Sequence, residues 1–232
     1  MLDVSRREIK YEIDSCQELK LKRLLSAVLE GDKHNGKDGY RVRSLYFDTP
    51  DALDYYEKID GLENRKKIRL RIYNFGDSPA KLELKQKQGI QQRKQTLTLS
   101  RGQAEQMISG DYSCLDDCGE FGRYMRLTMQ TGAYRPACLV EYDRTAFFCR
   151  TNDTRITLDS GLRSNESSFE LYDASVQLYP VTLPGKVTLE VKYNRFLLSY
   201  IKDVVSTVDM LSVSGSKYCR CRRFGLGGEG NI

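Results

Sequence analysis

Apolar and polar residues alternate along much of this chain. The clearest case is a pair of stretches, Asn64-Arg65-Lys66-Lys67-Ile68-Arg69-Leu70-Arg71-Ile72-Tyr73 and Lys81-Leu82-Glu83-Leu84-Lys85-Gln86-Lys87. Successive side chains of a strand point to opposite faces. The first stretch therefore sets Lys67, Arg69 and Arg71 against Ile68, Leu70 and Ile72, and the second sets Lys81, Glu83, Lys85 and Lys87 against Leu82 and Leu84. A turn around Gly76, Asp77, Ser78 and Pro79 predicts antiparallel pairing. The result is a sheet face crowded with cations, which is costly unless an anion lies on it.

The same period recurs in residues 7 to 13, 40 to 48, 91 to 99, 137 to 150, 153 to 159 and 186 to 193, so about eight strands are expected. In residues 40 to 48, Arg41 and Arg43 share a face and the alternation slips after Ser44, where a bulge is expected. Helical spacing intervenes in residues 16 to 30 (Leu21, Leu24, Leu25, Val28), with Asp14 or Ser15 as cap and Glu18 placed for a capping box. Further helices are expected from Thr49-Pro50-Asp51 through Leu53, Tyr56 and Ile59, after the Ser100 cap, over residues 117 to 131, and over residues 196 to 210. Residues 161 to 185 read as irregular, and 225 to 232 as a frayed glycine-rich tail.

Composition narrows the class. The 232 residues are 40% hydrophobic and 30% charged, enough apolar material for one core with a heavily charged remainder, so a single domain over 1–232 is expected. The net charge of +5 is too mild to indicate nucleic acid by itself. Nor do the strands carry the aromatic platform that single-strand binders use. Seven cysteines, no expected signal peptide and no apolar run of membrane length predict a cytoplasmic protein with free thiols. Cys114-Cys118 and Cys219-Cys221 lack structural zinc spacing, and His34 is the lone histidine.

Polar strand faces usually meet water while helices cover the apolar side. Here the polar faces hold Arg and Lys repeatedly at i and i+2, and the helices carry enough apolar stripe to jacket a closed sheet. The expected fold is therefore α+β: a closed antiparallel β-barrel with a charged tunnel inside and helices packed outside. Arginine suits such a tunnel because its planar fork binds phosphate oxygens in pairs. The minority of acids on these faces, Glu8, Glu12, Glu83, Asp159 and Glu190, suits a hard divalent cation shared with phosphate.

Several motifs occur in order: Glu8-Ile9-Lys10-Tyr11-Glu12, Val42-Arg43-Ser44-Leu45-Tyr46-Phe47-Asp48-Thr49, Arg69-Leu70-Arg71-Ile72-Tyr73 and Glu83-Leu84-Lys85. They continue with Tyr142-Asp143-Arg144-Thr145-Ala146-Phe147, Arg155-Ile156-Thr157-Leu158-Asp159, Leu189-Glu190-Val191-Lys192 and Ser216-Lys217-Tyr218. Together they resemble the VTC domain, the polyphosphate polymerase branch of the triphosphate tunnel metalloenzymes. The resemblance implies transfer of the terminal phosphate of ATP onto inorganic polyphosphate, with Mn2+ or Mg2+ as cofactor. It places Lys10, Arg69, Arg71 and Arg155 at the reacting phosphoryl group. Lys85, Lys94, Arg144 and Lys217 would grip other phosphates, with Arg43 added from its strand context. Tyr142 would hydrogen-bond to a phosphate, and Glu190 would hold the metal. Related triphosphatases open with Glu-x-Glu-x-Lys, whereas here the order is Glu8-x-Lys10-x-Glu12, which favours the polymerase branch. Val213-Ser214-Gly215 stands where fungal polymerases carry a second lysine. The alternatives are a metal-dependent tripolyphosphate hydrolase and a non-catalytic polyphosphate-binding module.

Overall fold

Each alternating stretch becomes a strand. The computed structural model of the protein describes residues 6–76, 79–89 and 91–226. Among them the strands are β1 (Arg6–Asp14), β2 (Glu30–Gly31), β3 (Tyr40–Asp48), β4 (Arg65–Tyr73), β5 (Ala80–Gln88), β6 (Gln91–Leu99), β7 (Arg135–Cys149), β8 (Thr154–Asn165), β9 (Tyr179–Pro180), β10 (Lys186–Asn194) and β11 (Leu211–Ser212). The helices are α1 (Ser15–Val28), α2 (Leu53–Ile59), α3 (Arg101–Ile108), α4 (Gly119–Thr131), α5 (Ser199–Val205) and α6 (Lys217–Arg222). The protein is thus α+β, with a large antiparallel sheet. Its strand path ends at β11 and at β6, and among the described residues no ladder joins those ends, so the sheet is not closed into a barrel. Of the expected turn, Asp77 and Ser78 lie outside the described residues, as does most of the expected tail.

The described residues fall into two compact units. The first is drawn from Met1–Arg41, Tyr142–Leu162 and Pro180–Gly215. Its strands run in the order β11, β1, β10, β8, β7. Ile13, Ile156, Leu158, Val187, Leu189 and Val191 bury the apolar strand faces against Leu21 and Leu25 of α1 and Ile201 and Val205 of α5. Burial of each such side chain contributes about 1.5–3 kcal/mol. Asp14 caps α1: its carboxylate accepts from the Gln17 backbone N–H, and the Gln17 side chain accepts from the Asp14 backbone N–H. The capping box therefore closes on Gln17 rather than on Glu18. The expected helix over 196 to 210 is shorter, because Arg195 turns into the left-handed region (φ 62°) and the chain is extended at Leu198.

The second unit is drawn from Val42–Glu141, Arg163–Tyr179 and Ser216–Ile232. Its strands run β7, β3, β4, β5, β6. Ile68, Leu70, Ile72, Leu82 and Leu84 pack against Ala104 and Met107 of α3 and Met125 and Met129 of α4. Ser100 caps α3 through a box with Gln103. No bulge interrupts β3 here: Val42 to Phe47 pair with Tyr73 to Ile68 in unbroken register. The alternation slips because both faces of β3 are covered, so apolar residues are tolerated on each. The stripe Leu53, Tyr56 and Ile59 of α2 is exposed, while Asp54 and Tyr55 are buried. Asp48 dictates this orientation, since its carboxylate accepts the backbone N–H groups of Asp54 (3.0 Å) and Tyr55 (3.1 Å). The last described helix, α6, was not expected from the sequence pattern and is capped by Ser216.

Candidate functional site

In the second unit, three strands present their polar residues in ordered rows. Lys67, Lys85 and Lys94 stand at one level of β4, β5 and β6; Arg69, Glu83 and Thr96 occupy the next; Arg71, Lys81 and Thr98 follow. Like charges placed directly opposite destabilise a sheet. The Glu83 carboxylate stands among these cations. Glu83 accepts from Arg69 Nε at 2.7 Å, lies 3.9 Å from Arg71 NH1 and is paired with Lys94. Burial by itself would raise the Glu83 pKa, but Arg69, then Arg71 and Lys94, hold it at about 2. Arg69 also donates to Tyr46 Oη (2.8 Å) and Arg71 Nε to Ser44 Oγ (3.1 Å), so neighbouring β3 fixes both forks. The predicted residues Arg69, Arg71, Lys85 and Lys94 therefore share one face.

Lys217 enters from the start of α6. The preceding Ser216 hydroxyl accepts from Lys67, whose ammonium lies 5.8 Å from the Tyr46 ring and 5.5 Å from the Tyr218 ring. Tyr218 stacks on Tyr46 (ring centroids 4.9 Å apart) and donates its hydroxyl proton to Asp48. Burial, then Asp48, push the Tyr218 phenol far above its ordinary pKa, so it stays a donor. Lys67, Ser216 and Tyr218 thus fix the start of α6, which carries Lys217; strand alternation put Lys67 on the cationic face but did not show its tie to Ser216.

Arg43 lies apart from this face. It stands opposite Ile72, on the core side of the sheet, with 2% of its surface exposed. Its Nε donates to Glu141 (2.6 Å), and NH1 donates to the backbone carbonyls of Leu171 and Asp173. Arg163 also donates to Glu141 (2.8 Å), and Arg43 stacks over Phe75 at 4.3 Å. This Arg-Glu-Arg triad, buried at Arg43 and Glu141, ties the irregular segment around residue 171 to the sheet. The positions involved are too far apart in sequence for a local pattern to reveal it.

The first unit carries its own charged face. Across β1, β10 and β8 its rows are Glu8, Lys192 and Arg155, then Lys10, Glu190 and Thr157, then Glu12, Thr188 and Asp159. Lys10 lies 3.1 Å from Glu8, and Lys192 pairs with both Glu190 and Glu8. Arg155 donates to Asp32 (2.9 Å) and to Tyr40 Oη (3.1 Å). Arg144 makes a two-pronged pair with Asp159 at 2.6 and 2.8 Å and lies 5.2 Å from the Tyr142 ring. Burial opposes the Arg144 charge, but Asp159, Tyr142 and Glu190 outweigh it and push the pKa well above the ordinary value. Gly39 approaches the backbone of Arg144 so closely, at φ 92°, that any Cβ would collide with its carbonyl oxygen. Lys10, Tyr142, Arg144, Arg155 and Glu190, all predicted, belong to this unit.

A divalent cation was expected at Glu190. That carboxylate is 5% exposed and is paired in register with Thr157, whose buried Oγ1 has no hydrogen-bond partner. Among the described residues no group of three or more His, Cys, Asp or Glu side chains could cage a metal by itself. A carboxylate beside an orphaned hydroxyl fits a hard cation that takes few protein ligands and completes its shell with phosphate and water.

The fold and these faces define an α+β protein with rows of paired cations suited to a polyanion. The VTC domain family model matches residues 5–224, and the chain belongs to that family. Among solved structures, it is similar to a Bacillus halodurans protein provisionally called an adenylate cyclase, at 17% identity, covering 91% of this chain and 95% of that one (TM-score 0.51). It is also similar to a chain of the Schizosaccharomyces pombe Mediator head module, at 8% identity, covering 90% and 99% (TM-score 0.51). At these identities the likeness concerns fold alone. No curated protein matches the chain. Among the described residues no helix is long and apolar enough to cross a membrane, and the seven cysteines are free.

Proposed function

We propose that the protein is a polyphosphate polymerase that moves the terminal phosphate of ATP onto a growing polyphosphate chain. The observation that carries this reading is the row of Lys67, Lys85 and Lys94 beside Arg69 and Arg71, with the Glu83 carboxylate paired to Arg69, Arg71 and Lys94. Cations ranged at neighbouring levels of three strands match a phosphate chain, which supplies negative charge at regular intervals. The family membership supports the same substrate class.

Phosphoryl transfer asks the protein mainly for positioning and charge stabilisation. By the family resemblance, Arg69 and Arg71 of the second unit and Arg155 and Lys10 of the first would neutralise charge on phosphoryl groups. Lys85, Lys94, Arg144 and Lys217 hold the remaining phosphates, and Tyr142 hydrogen-bonds to one of them. An acceptor phosphate is already an anion, so no general base is needed. Glu190, with Thr157 beside it, would hold Mn2+ or Mg2+, which when bound withdraws charge from phosphate oxygens. Arg43 is left out of this set because its guanidinium is committed to Glu141 and to backbone carbonyls.

The test is the product. Purified protein incubated with ATP and Mn2+ yields long polyphosphate, visible as a ladder on a gel. Orthophosphate and pyrophosphate released from tripolyphosphate without polymer would mean a hydrolase. Tight binding without turnover would mean a storage or sensing module.

A further inference from the structure

In the first unit the reverse side of β1 and β10 forms a groove of about 340 Å³. Its floor is Ile9 and Tyr11 of β1 with Val191 and Tyr193 of β10, and Val205 and Met210 form one wall. These strand residues alternate with Lys10 and Glu190, so the groove lies on the face opposite the charged rows. Three cations, Arg7, Arg195 and Lys202, stand among the lining residues, and no carboxylate does. All three are exposed. None has an ion-pair partner among the described residues, unlike the paired cations of the charged face.

Arg195 holds a left-handed backbone (φ 62°), a conformation costly for a side chain of its size. Beside it, Phe196 is 59% exposed. An apolar floor ringed by unpaired positive charge complements one kind of ligand, a greasy tail ending in an anion. We propose that this groove binds a small anionic amphiphile, with a carboxylate or phosphate head held by Arg7, Arg195 and Lys202 and a short hydrocarbon tail on Ile9, Tyr11 and Met210.

The dimensions and chemistry favour this occupant over two rivals. The volume lies near the lower end of small-molecule sites, roughly 300–1,000 Å³. A membrane surface would call for a convex patch. A nucleotide would call for groups that read the edges of its base, yet no Asn, Gln, Asp or Glu lines the groove.

The test is isothermal titration calorimetry, because the chain has no tryptophan to report by emission. Decanoate, decyl phosphate and decanol are each titrated below their micelle threshold. Decanoate and decyl phosphate are expected to saturate one site, with a negative heat-capacity change. The variant R195A/K202A, altered only at exposed positions, is expected to bind both anions about three- to thirtyfold more weakly, the sum of two partly screened ion pairs. Decanol is expected to bind both proteins equally. The variant S206W, which places a large ring at the groove, should abolish binding of all three probes. The proposal is overturned if no probe saturates, if R195A/K202A binds the anions as well as the parent, if adenosine monophosphate displaces decanoate, or if the protein binds only to phosphatidylglycerol vesicles. None of these outcomes bears on polymerase activity.

Discussion

Asp54 offers a test of the buried architecture behind Lys217. Its side chain is fully buried at the start of α2. One oxygen accepts from Tyr134 Oη (2.8 Å) and lies 3.6 Å from Lys66, while the other has no partner. Burial, then the neighbouring Asp48 carboxylate, raise its pKa to about 7, against the smaller opposing effects of Lys66 and Tyr134; Glu57 adds to the rise. An exposed aspartate titrates near 3.9, so the shift is about 3 units, or about 4 kcal/mol at most. The sign follows from proton uptake. Between about pH 4 and pH 7 the folded protein holds a proton here that the unfolded chain has released, so stability falls as pH rises, by about 1.4 kcal/mol per unit. Asp54→Asn removes that slope. Denaturant titrations of both proteins at pH 5, 6, 7 and 8 isolate the group, because the titrations of groups remote from Asp54 cancel in the difference. The variant is expected to gain on the parent steadily up to pH 7 and to hold its advantage above it. A difference that is flat across this range would refute the reasoning.

The other outcomes follow from the same geometry. Arg43→Ala should cost about 3–5 kcal/mol of stability, the usual result of breaking a buried pair, and leave affinity for polyphosphate within twofold; a large affinity loss in a stable variant would return Arg43 to the phosphate site. Glu83, with its pKa depressed to about 2, stabilises the fold above the ordinary glutamate range. That contribution, about 3 kcal/mol, should disappear as pH falls from about 4.3 to about 2, and Glu83→Gln should flatten the acid limb measured by circular dichroism. Glu190→Ala should abolish turnover while metal-free polyphosphate binding, measured by calorimetry, is largely retained; surviving turnover would make Glu190 structural.

The sequence exposed those parts of the fold in which one strand face is buried and the other is not. Ile68, Leu70 and Ile72 on one side and Lys67, Arg69 and Arg71 on the other could be assigned from period alone, and the register of β4 with β5 agrees with it. Arg43 could not, because β3 is covered on both faces and its alternation loses meaning. The exposed stripe of α2 misled for a different reason: the capping carboxylate of Asp48, six residues before Asp54, sets which side of that short helix turns inward. The Arg43, Glu141 and Arg163 triad and the contact of Tyr218 with Asp48 join distant stretches, and no local pattern encodes them. Most motifs that carry the family resemblance coincide with strands of the two charged faces, which is why candidates such as Arg69, Arg71, Arg155 and Glu190 were legible, whereas the contacts that hold them were not.

The central claim is that the second unit's cationic strand face binds a phosphate chain. A crystal structure determined with tripolyphosphate tests it directly. Phosphate oxygens are expected within hydrogen-bond distance of Arg69, Arg71, Lys85 and Lys94, with Glu83 still paired to the arginines. Tripolyphosphate bound elsewhere, leaving those four side chains without phosphate contacts, would contradict it.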